Sequence, residues 1–263
     1  MNPLTLTPLS HIPLIRPGDD LADIILRALA DAHIELAEDD ILVLAQKIVS
    51  KAEGRLVDLA EVTPSPEAIE LATRSAKDPR LVELILREST QVLRVRPGTI
   101  VVEHKLGFIC ASAGIDHSNV DSPLPEGEGP GVRSEDWVLL LPEDPDRSAA
   151  ELRARIESAS GKRIGVMIID SHGRAWRLGV VGTCIGLSGL PGIVDKRGDP
   201  DLFGYRLQIT LIAVADELAA AASLVMGQAD EGTPVVHVRG FPYPLRAGSM
   251  REILRPRDQD MFR

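Results

Sequence analysis

Apolar and polar positions change their period several times along the chain, and each change marks an element. Residues 20–35 place Leu21, Ile24, Ile25, Ala28 and Leu29 three and four apart, which predicts a helix with one apolar face. Upstream, residues 4–15 alternate loosely, as a first strand would, and Pro17, Gly18 and Asp19 form a turn. Ile41 to Ala45 is an unbroken apolar run, short enough to be a buried strand. Ser65-Pro66-Glu67 opens a helix and Asp78-Pro79 another, with proline in the first turn, where a missing N–H costs nothing. Strands are predicted at 91–95, 99–104, 107–111 and Trp137 to Leu141. Ser148 and Glu151 have capping-box spacing, predicting a helix that ends near Gly161. A strand over 164–170, a Gly-rich apolar stretch at 178–193, an Ala-rich helix over 206–226 and a last strand from Pro234 to Val238 complete the series.

Strand runs fall between helices without a regular β-α alternation. The order predicts an α+β fold with mixed or antiparallel sheets and flanking helices, rather than a doubly wound sheet. Residues 121–136 hold three Pro, three Gly and five acids, which cannot bury a core; they read as a mobile surface loop. At 263 residues the chain makes one large domain or two smaller units. Hydrophobic residues are 44% and aromatics only 3%, so the core must be aliphatic.

The formal charge of −10 argues against general nucleic-acid binding, which needs a basic footprint. Cys110 and Cys184 are too few for a disulfide scaffold or zinc cluster and lie in apolar stretches, as small core residues do. Met1 to Arg16 has no signal-peptide pattern, and no run approaches the ~20 apolar residues of a membrane span. The expectation is a soluble cytoplasmic protein with no membrane partner.

Chemistry concentrates where Ile-Gly-Val-Met-Ile-Ile-Asp170 runs into Ser171, His172, Gly173, Arg174, Ala175, Trp176 and Arg177. A buried strand that ends on Asp170, then a Gly turn and two guanidinium groups, can hold a metal and a phosphate. Ala113-Gly114-Ile115-Asp116-His117-Ser118-Asn119 has the same grammar. Asp116 and Asp170 at two strand ends can share Mg²⁺ or Mn²⁺, while Asp116 taken alone reads as a turn or helix-capping residue. Met226-Gly227-Gln228-Ala229-Asp230-Glu231-Gly232-Thr233 is a helix stop with an acidic turn, or a loop facing a nucleotide. Gln46-Lys47-Ile48-Val49-Ser50-Lys51, with Gly54-Arg55, is a basic surface helix or a phosphate holder, but not a Walker A loop. Arg197-Gly198-Asp199-Pro200-Asp201 is a turn or a source of one acid and one Arg. His117 and His172 stand beside candidate acids, as their partners or as exposed side chains. G-x-S-x-G, G-x-G-x-x-G and H-E-x-x-H are all absent.

Taken together and in order, Lys47-Ile-Val-Ser-Lys-Ala-Glu-Gly-Arg55, Ala113 to Asn119, Ile169-Asp-Ser-His-Gly-Arg-Ala-Trp-Arg177, Leu224-Val-Met-Gly227 and Val238-Arg239-Gly240 resemble the coenzyme F420-0:L-glutamate ligase family. The tail, Leu254-Arg-Pro with Asp260-Met-Phe262, extends the likeness over nearly the whole chain. The resemblance implies a GTP-dependent ligase that adds one or more L-glutamates to coenzyme F420-0, later ones γ-linked, through an acyl phosphate. It implies a single ligase domain over 1–263, built from two subdomains, in an intertwined homodimer. Asp116 and Asp170 would hold one divalent ion, Mg²⁺ or Mn²⁺; Ser171 and Gln228 would help hold a second, and K⁺ is a further expectation. GTP would be lined by Ile12, Pro13, Leu14, Ile15, Gln46, Lys47, Lys51, Asn119 and the loop Met226, Gly227, Gln228, Ala229, Asp230, Glu231, Gly232, Thr233. Lys51 or Lys47, with Arg174, would stabilise the transferring phosphoryl group. His172, Tyr205 and the 121–136 insertion depart from the family pattern. A metal-dependent nucleotide or phosphate hydrolase would use the same acids with water as nucleophile, and a non-catalytic nucleotide-binding module is a further rival.

Overall fold

The computed structural model describes residues 3–120 and 136–260. The expected mobile loop therefore lies outside the described residues, apart from Asp136. In chain order the elements are β1 (Thr5–Pro8), α1 (Leu21–Asp31), β2 (Ile41–Ala45), α2 (Gln46–Ala52) and β3 (Leu56–Asp58). Next come α3 (Pro66–Ser75), α4 (Pro79–Arg87), β4 (Ser89–Arg96), β5 (Thr99–His104), β6 (Ile109–Ala111) and β7 (Trp137–Leu139). The last third holds α5 (Pro145–Ser160), β8 (Gly165–Arg174), β9 (Arg177–Ser188), β10 (Val194–Asp195), β11 (Leu211–Ile212), α6 (Val214–Met226) and β12 (Val235–Arg239).

The main sheet has the order β1-β12-β2-β8-β9. Only β2 and β8 pair in parallel, with Ile41 opposite Gly165 and Ala45 opposite Ile169; the other pairs are antiparallel. Leu42, Leu44, Val166 and Ile168 face a core shared with Leu21 and Ile25 of α1 and Ala149 and Ile156 of α5. Ile41, Val43, Met167 and Ile169 face the opposite core, against Leu218, Ala219 and Ala222 of α6. Covered on both faces, these strands need unbroken apolar runs rather than alternation. A third core, from Leu59 to Leu140, is enclosed by α3, α4 and the β4-β5-β6 sheet. The result is the expected α+β class with mixed and antiparallel sheets.

β9 carries one extra residue opposite the Ile168–Ile169 step, where its partners jump from Gly186 to Cys184. The bulge changes which face β9 presents. Cys184 and Leu187 join the α6 core, whereas Ile185 joins the α5 core. The Cys184 N–H bonds the Asp216 carboxylate of α6 at 3.0 Å. Beyond the bulge Gly182 lies under α6 so closely that a Cβ would come 2.6 Å from the Ala219 carbonyl oxygen.

Several boundaries differ from the sequence reading. The first strand stops at Pro8, and residues 9–16 continue without regular structure. The first helix ends at Asp31. The helix expected over 206–226 starts at Val214, because residues before it are spent on the β10–β11 pair and its approach. No capping box opens α5: Asp144 is the N-cap, accepting from the Arg147 N–H, and Pro145 takes the first position. Ser148 instead lies within the helix and donates to the Glu53 carboxylate. Most consequential, Asp170 does not end its strand. β8 continues to Arg174, paired to β9 as far as Arg177, and Gly173 is a strand residue rather than a turn. The partner ladder of β9 satisfies backbone groups that a lone sequence window leaves open. Asp116 is not at a strand end either; it forms an isolated bridge with Leu139.

Candidate active site

The carboxyl ends of the parallel pair β2 and β8 open into a cleft of about 400 Å³. In mixed sheets this is where ligands settle, outside the strand ends. Five separate segments line it: residues 12–15, 45–48 with Lys51, 119–120, 169–171, and Ser223 with 226–234. The structure thus brings Ile12, Pro13, Leu14, Ile15, Gln46, Lys47, Lys51, Asn119, Asp170, Ser171 and the whole Met226–Thr233 loop to one cavity. Asp116 stands one side chain behind the lining, in contact with Gln46 and Lys47. Arg174 is not brought there: it is exposed near the end of the β8–β9 hairpin, its Nη1 3.5 Å from the Gly179 carbonyl. Arg177 is exposed on the same arm.

α2 begins directly after β2, so its first side chains lie at the mouth of the sheet. Gln46, although a lining residue, is 1% exposed. Its Nε2 donates to Asp116 Oδ2 at 2.7 Å, and its Oε1 accepts the Ser50 hydroxyl at 2.8 Å. Lys47 Nζ is 2.6 Å from the same Asp116 oxygen and also reaches Ser118 Oγ at 3.2 Å. Burial, and then the charge of Asp170, push the Asp116 carboxyl above its usual range, while Lys47 and Gln46 pull it down. The two carboxylates therefore feel each other across the site.

On β8 side chains alternate faces. Asp170 and His172 share one face, and His172 Nε2 lies 3.0 Å from Asp170 Oδ2. The imidazole leans on Phe108, centroids 5.3 Å apart, and Phe108 stacks on His104 at 5.2 Å. Cys110 lies nearby; burial first, and Asp170 second, push its thiol up to about 12. Ser171 faces the other way and donates to Gln228 Oε1 at 2.8 Å, while Gln228 Nε2 donates to Ser223 Oγ at 2.8 Å.

The loop after α6 is pinned at both ends. Thr233 Oγ1 donates to the Met226 carbonyl at 3.0 Å, and Asn119 Nδ2 donates to the Ala229 carbonyl at 3.1 Å. Backbone N–H groups, that of Ala229 foremost, hold the Glu231 carboxyl below its usual range. Sequence reading did not single out Ser223, one turn before the helix stop. For His172 it left open a partner of the acid or an exposed side chain; the structure makes it the partner of Asp170, because two residues apart on a strand means one face.

The donor set can be tested against a hard divalent ion. Asp116, Asp170, the Ser171 hydroxyl and the Gln228 amide oxygen are all oxygen donors, the chemistry Mg²⁺ and Mn²⁺ prefer. Among the described residues no group of three His, Cys, Asp or Glu side chains gathers in metal-binding proximity. That disfavours a closed protein cage and fits an ion that keeps water and substrate oxygens.

Comparison with known proteins shows the family of the chain. A family model described as F420-0:Gamma-glutamyl ligase matches residues 10–240. Similar curated proteins are each named coenzyme F420:L-glutamate ligase. The one from Methanothermobacter thermautotrophicus is 47% identical over 262 residues, covering 99% of both chains. That from Methanopyrus kandleri is 49% identical over 95% of this chain and 93% of its own, and that from Methanocaldococcus jannaschii 41% over 96% and 94%. With a cleft of this composition, and likeness along almost its full length, the chain belongs to the F420-0:gamma-glutamyl ligase family.

Proposed function

We propose that this chain is a ligase that joins L-glutamate to coenzyme F420-0, driven by GTP. The observation that carries the reading is the convergence of Lys47, Lys51, Asn119, Asp170, Ser171 and the 226–233 loop on one cavity at the ends of β2 and β8.

Joining a carboxylate to an amine in water is uphill, so the carboxylate must first be activated. A carboxylate oxygen of F420-0 attacks the γ-phosphorus of GTP, GDP leaves, and an acyl phosphate forms. The glutamate amine, as free base, then attacks the acyl carbon; the amide forms, phosphate departs and the amine loses a proton to solvent. Phosphoryl transfer needs positioning and charge neutralisation more than covalent help. Lys47 and Lys51 supply positive charge at the mouth of the cleft. The pinned 226–233 loop and the 12–15 segment enclose the nucleotide and exclude water. Asp116 and Asp170 would hold one divalent ion, with Ser171 and Gln228 contributing to a second. Such ions would neutralise phosphate oxygens in the transfer. Potassium belongs to the same proposal and is checked by omitting it from the assay. Arg174 reaches the reaction in this reading only through a larger assembly, because it lies on the hairpin arm.

That assembly is an intertwined homodimer. Trp176, Leu178, Val180, Leu202, Phe203 and Ile209 are all more than half exposed. These exposed apolar side chains, on the β8–β9 arm and on the segment between β10 and β11, support a second copy as their cover. The separate core over 59–140 supports two subdomains. No described helix is long and apolar enough to cross a membrane; a cytoplasmic setting is part of the proposal.

Mass spectrometry of a reaction with F420-0, GTP, Mn²⁺ and L-glutamate tests this reading. Products heavier by one or more glutamyl units, with GDP, support it and count the additions. GTP cleavage independent of glutamate would move the assignment to a hydrolase.

A further inference from the structure

Gln46 sits at the cleft, yet its geometry sets it apart from a ligand-facing amide. Both ends of its side chain are already engaged: Oε1 by the Ser50 hydroxyl at 2.8 Å, and Nε2 by Asp116 Oδ2 at 2.7 Å. It is 1% exposed and Ser50 is 0% exposed. Gln46 and Ser50 are four apart on α2, so the hydroxyl meets the amide on one helix face. The Ser50 hydroxyl donates to the amide oxygen, and the NH₂ at the other end is turned toward Asp116. Asp116 comes from another part of the chain, 70 residues away, and its backbone is bridged to Leu139.

We infer that Gln46 is a positioning residue for Asp116, oriented by Ser50, rather than a nucleotide contact. Its Nε2–H, with the Lys47 ammonium, takes up Asp116 Oδ2 and leaves Oδ1 without a hydrogen bond from the described residues. The carboxylate is thus held in one rotamer with one oxygen uncommitted. Asp170 is held in the same way, its Oδ2 by His172. Carboxylates that bind ions are themselves held by hydrogen bonds, and removing the holder costs about 10- to 100-fold in affinity or activity. The inference rests on the proposed role of Asp116 in the reaction.

The test is steady-state ligation by Gln46→Met, which keeps the shape and removes the donor, and by Asp116→Asn. Expected is a kcat lower by about 10- to 100-fold in Gln46→Met with KM for GTP within about twofold, and Mn²⁺ bound more weakly by electron paramagnetic resonance. A KM rise at unchanged kcat would make Gln46 a nucleotide contact and overturn the inference. A lower thermal midpoint with normal kcat and normal Mn²⁺ binding would make it merely structural and overturn it too. If Asp116→Asn turns over normally, the reading of the site fails first and this inference with it. An inactive Asp116→Asn beside a normal Gln46→Met overturns the inference alone. Should Gln46→Met not fold, Ser50→Ala removes one of the two partners that fix the amide. It is expected to lower kcat several-fold with KM for GTP unchanged, and normal kcat there overturns the inference.

Discussion

Ser171 Oγ donates to Gln228 Oε1 at 2.8 Å, joining the outer half of β8 to the loop after α6 across 57 residues of sequence. The bond closes one wall of the cleft. It depends on α6 lying close against β9, because Gln228 is reached only through that helix.

The packing of α6 is testable at Gly182. A Cβ there would come 2.6 Å from both the Ala219 carbonyl oxygen and Ser223 Cβ. The carbonyl is backbone and cannot swing aside, so the helix must shift. Gly182→Ala should cost about 1–3 kcal/mol in urea unfolding and lower ligation as Ser223 and Gln228 move. A wild-type midpoint would show that α6 is not seated as described.

Asp170→Asn keeps size and hydrogen-bonding reach while removing a charge. The fold, followed by circular dichroism, should be unchanged and metal-dependent turnover abolished. Near-normal turnover in the folded variant would remove Asp170 from the proposed ion site.

His104 makes stability depend on pH. The residue is 2% exposed, Nδ1 accepts the Leu106 N–H at 3.0 Å, and buried Nε2 has no hydrogen bond among the described residues, the Glu88 carboxylate lying 4.0 Å away. Burial foremost, then Lys105, Arg55 and His172, lower its pKa from 6.5 to about 4. Between those values the unfolded chain binds more protons than the folded one. The contribution is therefore full above pH 6.5, declines as pH falls, and is lost below about 4. It amounts to about 3 kcal/mol. Unfolding free energies at pH 7.5 and 4.5 should differ by less in His104→Leu than in the wild-type chain; equal differences would refute the assignment.

Asp40 anchors the opposite end of the sheet. Its carboxylate, 1% exposed, accepts from Arg239 Nη2 at 2.7 Å, His237 Nε2 at 2.8 Å and the Ala37 N–H at 2.9 Å. Burial raises its pKa, but these partners outweigh burial and leave it below the usual range. Asp40→Asn should lower stability by about 3 kcal/mol while the KM values for GTP and glutamate stay near wild type, since the cleft lies at the other end of β2. A change in KM without loss of stability would contradict this separation.

Much of the local structure was legible in sequence because it depends on short-range rules. The runs Ile41–Ala45 and 164–170 read as buried strands, and Ser65 and Asp78 before proline marked helix starts that the structure keeps. The segments around Lys47, Asp116, Asp170 and Gly227, taken in order, identified the family, and a family model bears that out. What windows of sequence could not show was set by partners far along the chain. β8 continues past Asp170 because β9 supplies a ladder. Gln46 meets Asp116 because the fold brings together residues 70 apart, while a hydroxyl on its own helix engages the other end of the amide. Arg174 stands on the arm and Asp116 behind the lining because register and crossover, not spacing, decide which side chains meet. Hydrophobic period and capping act over a few residues and are written locally; convergence at a cavity depends on strand pairing and helix packing, whose energy exists only once the distant segments are together.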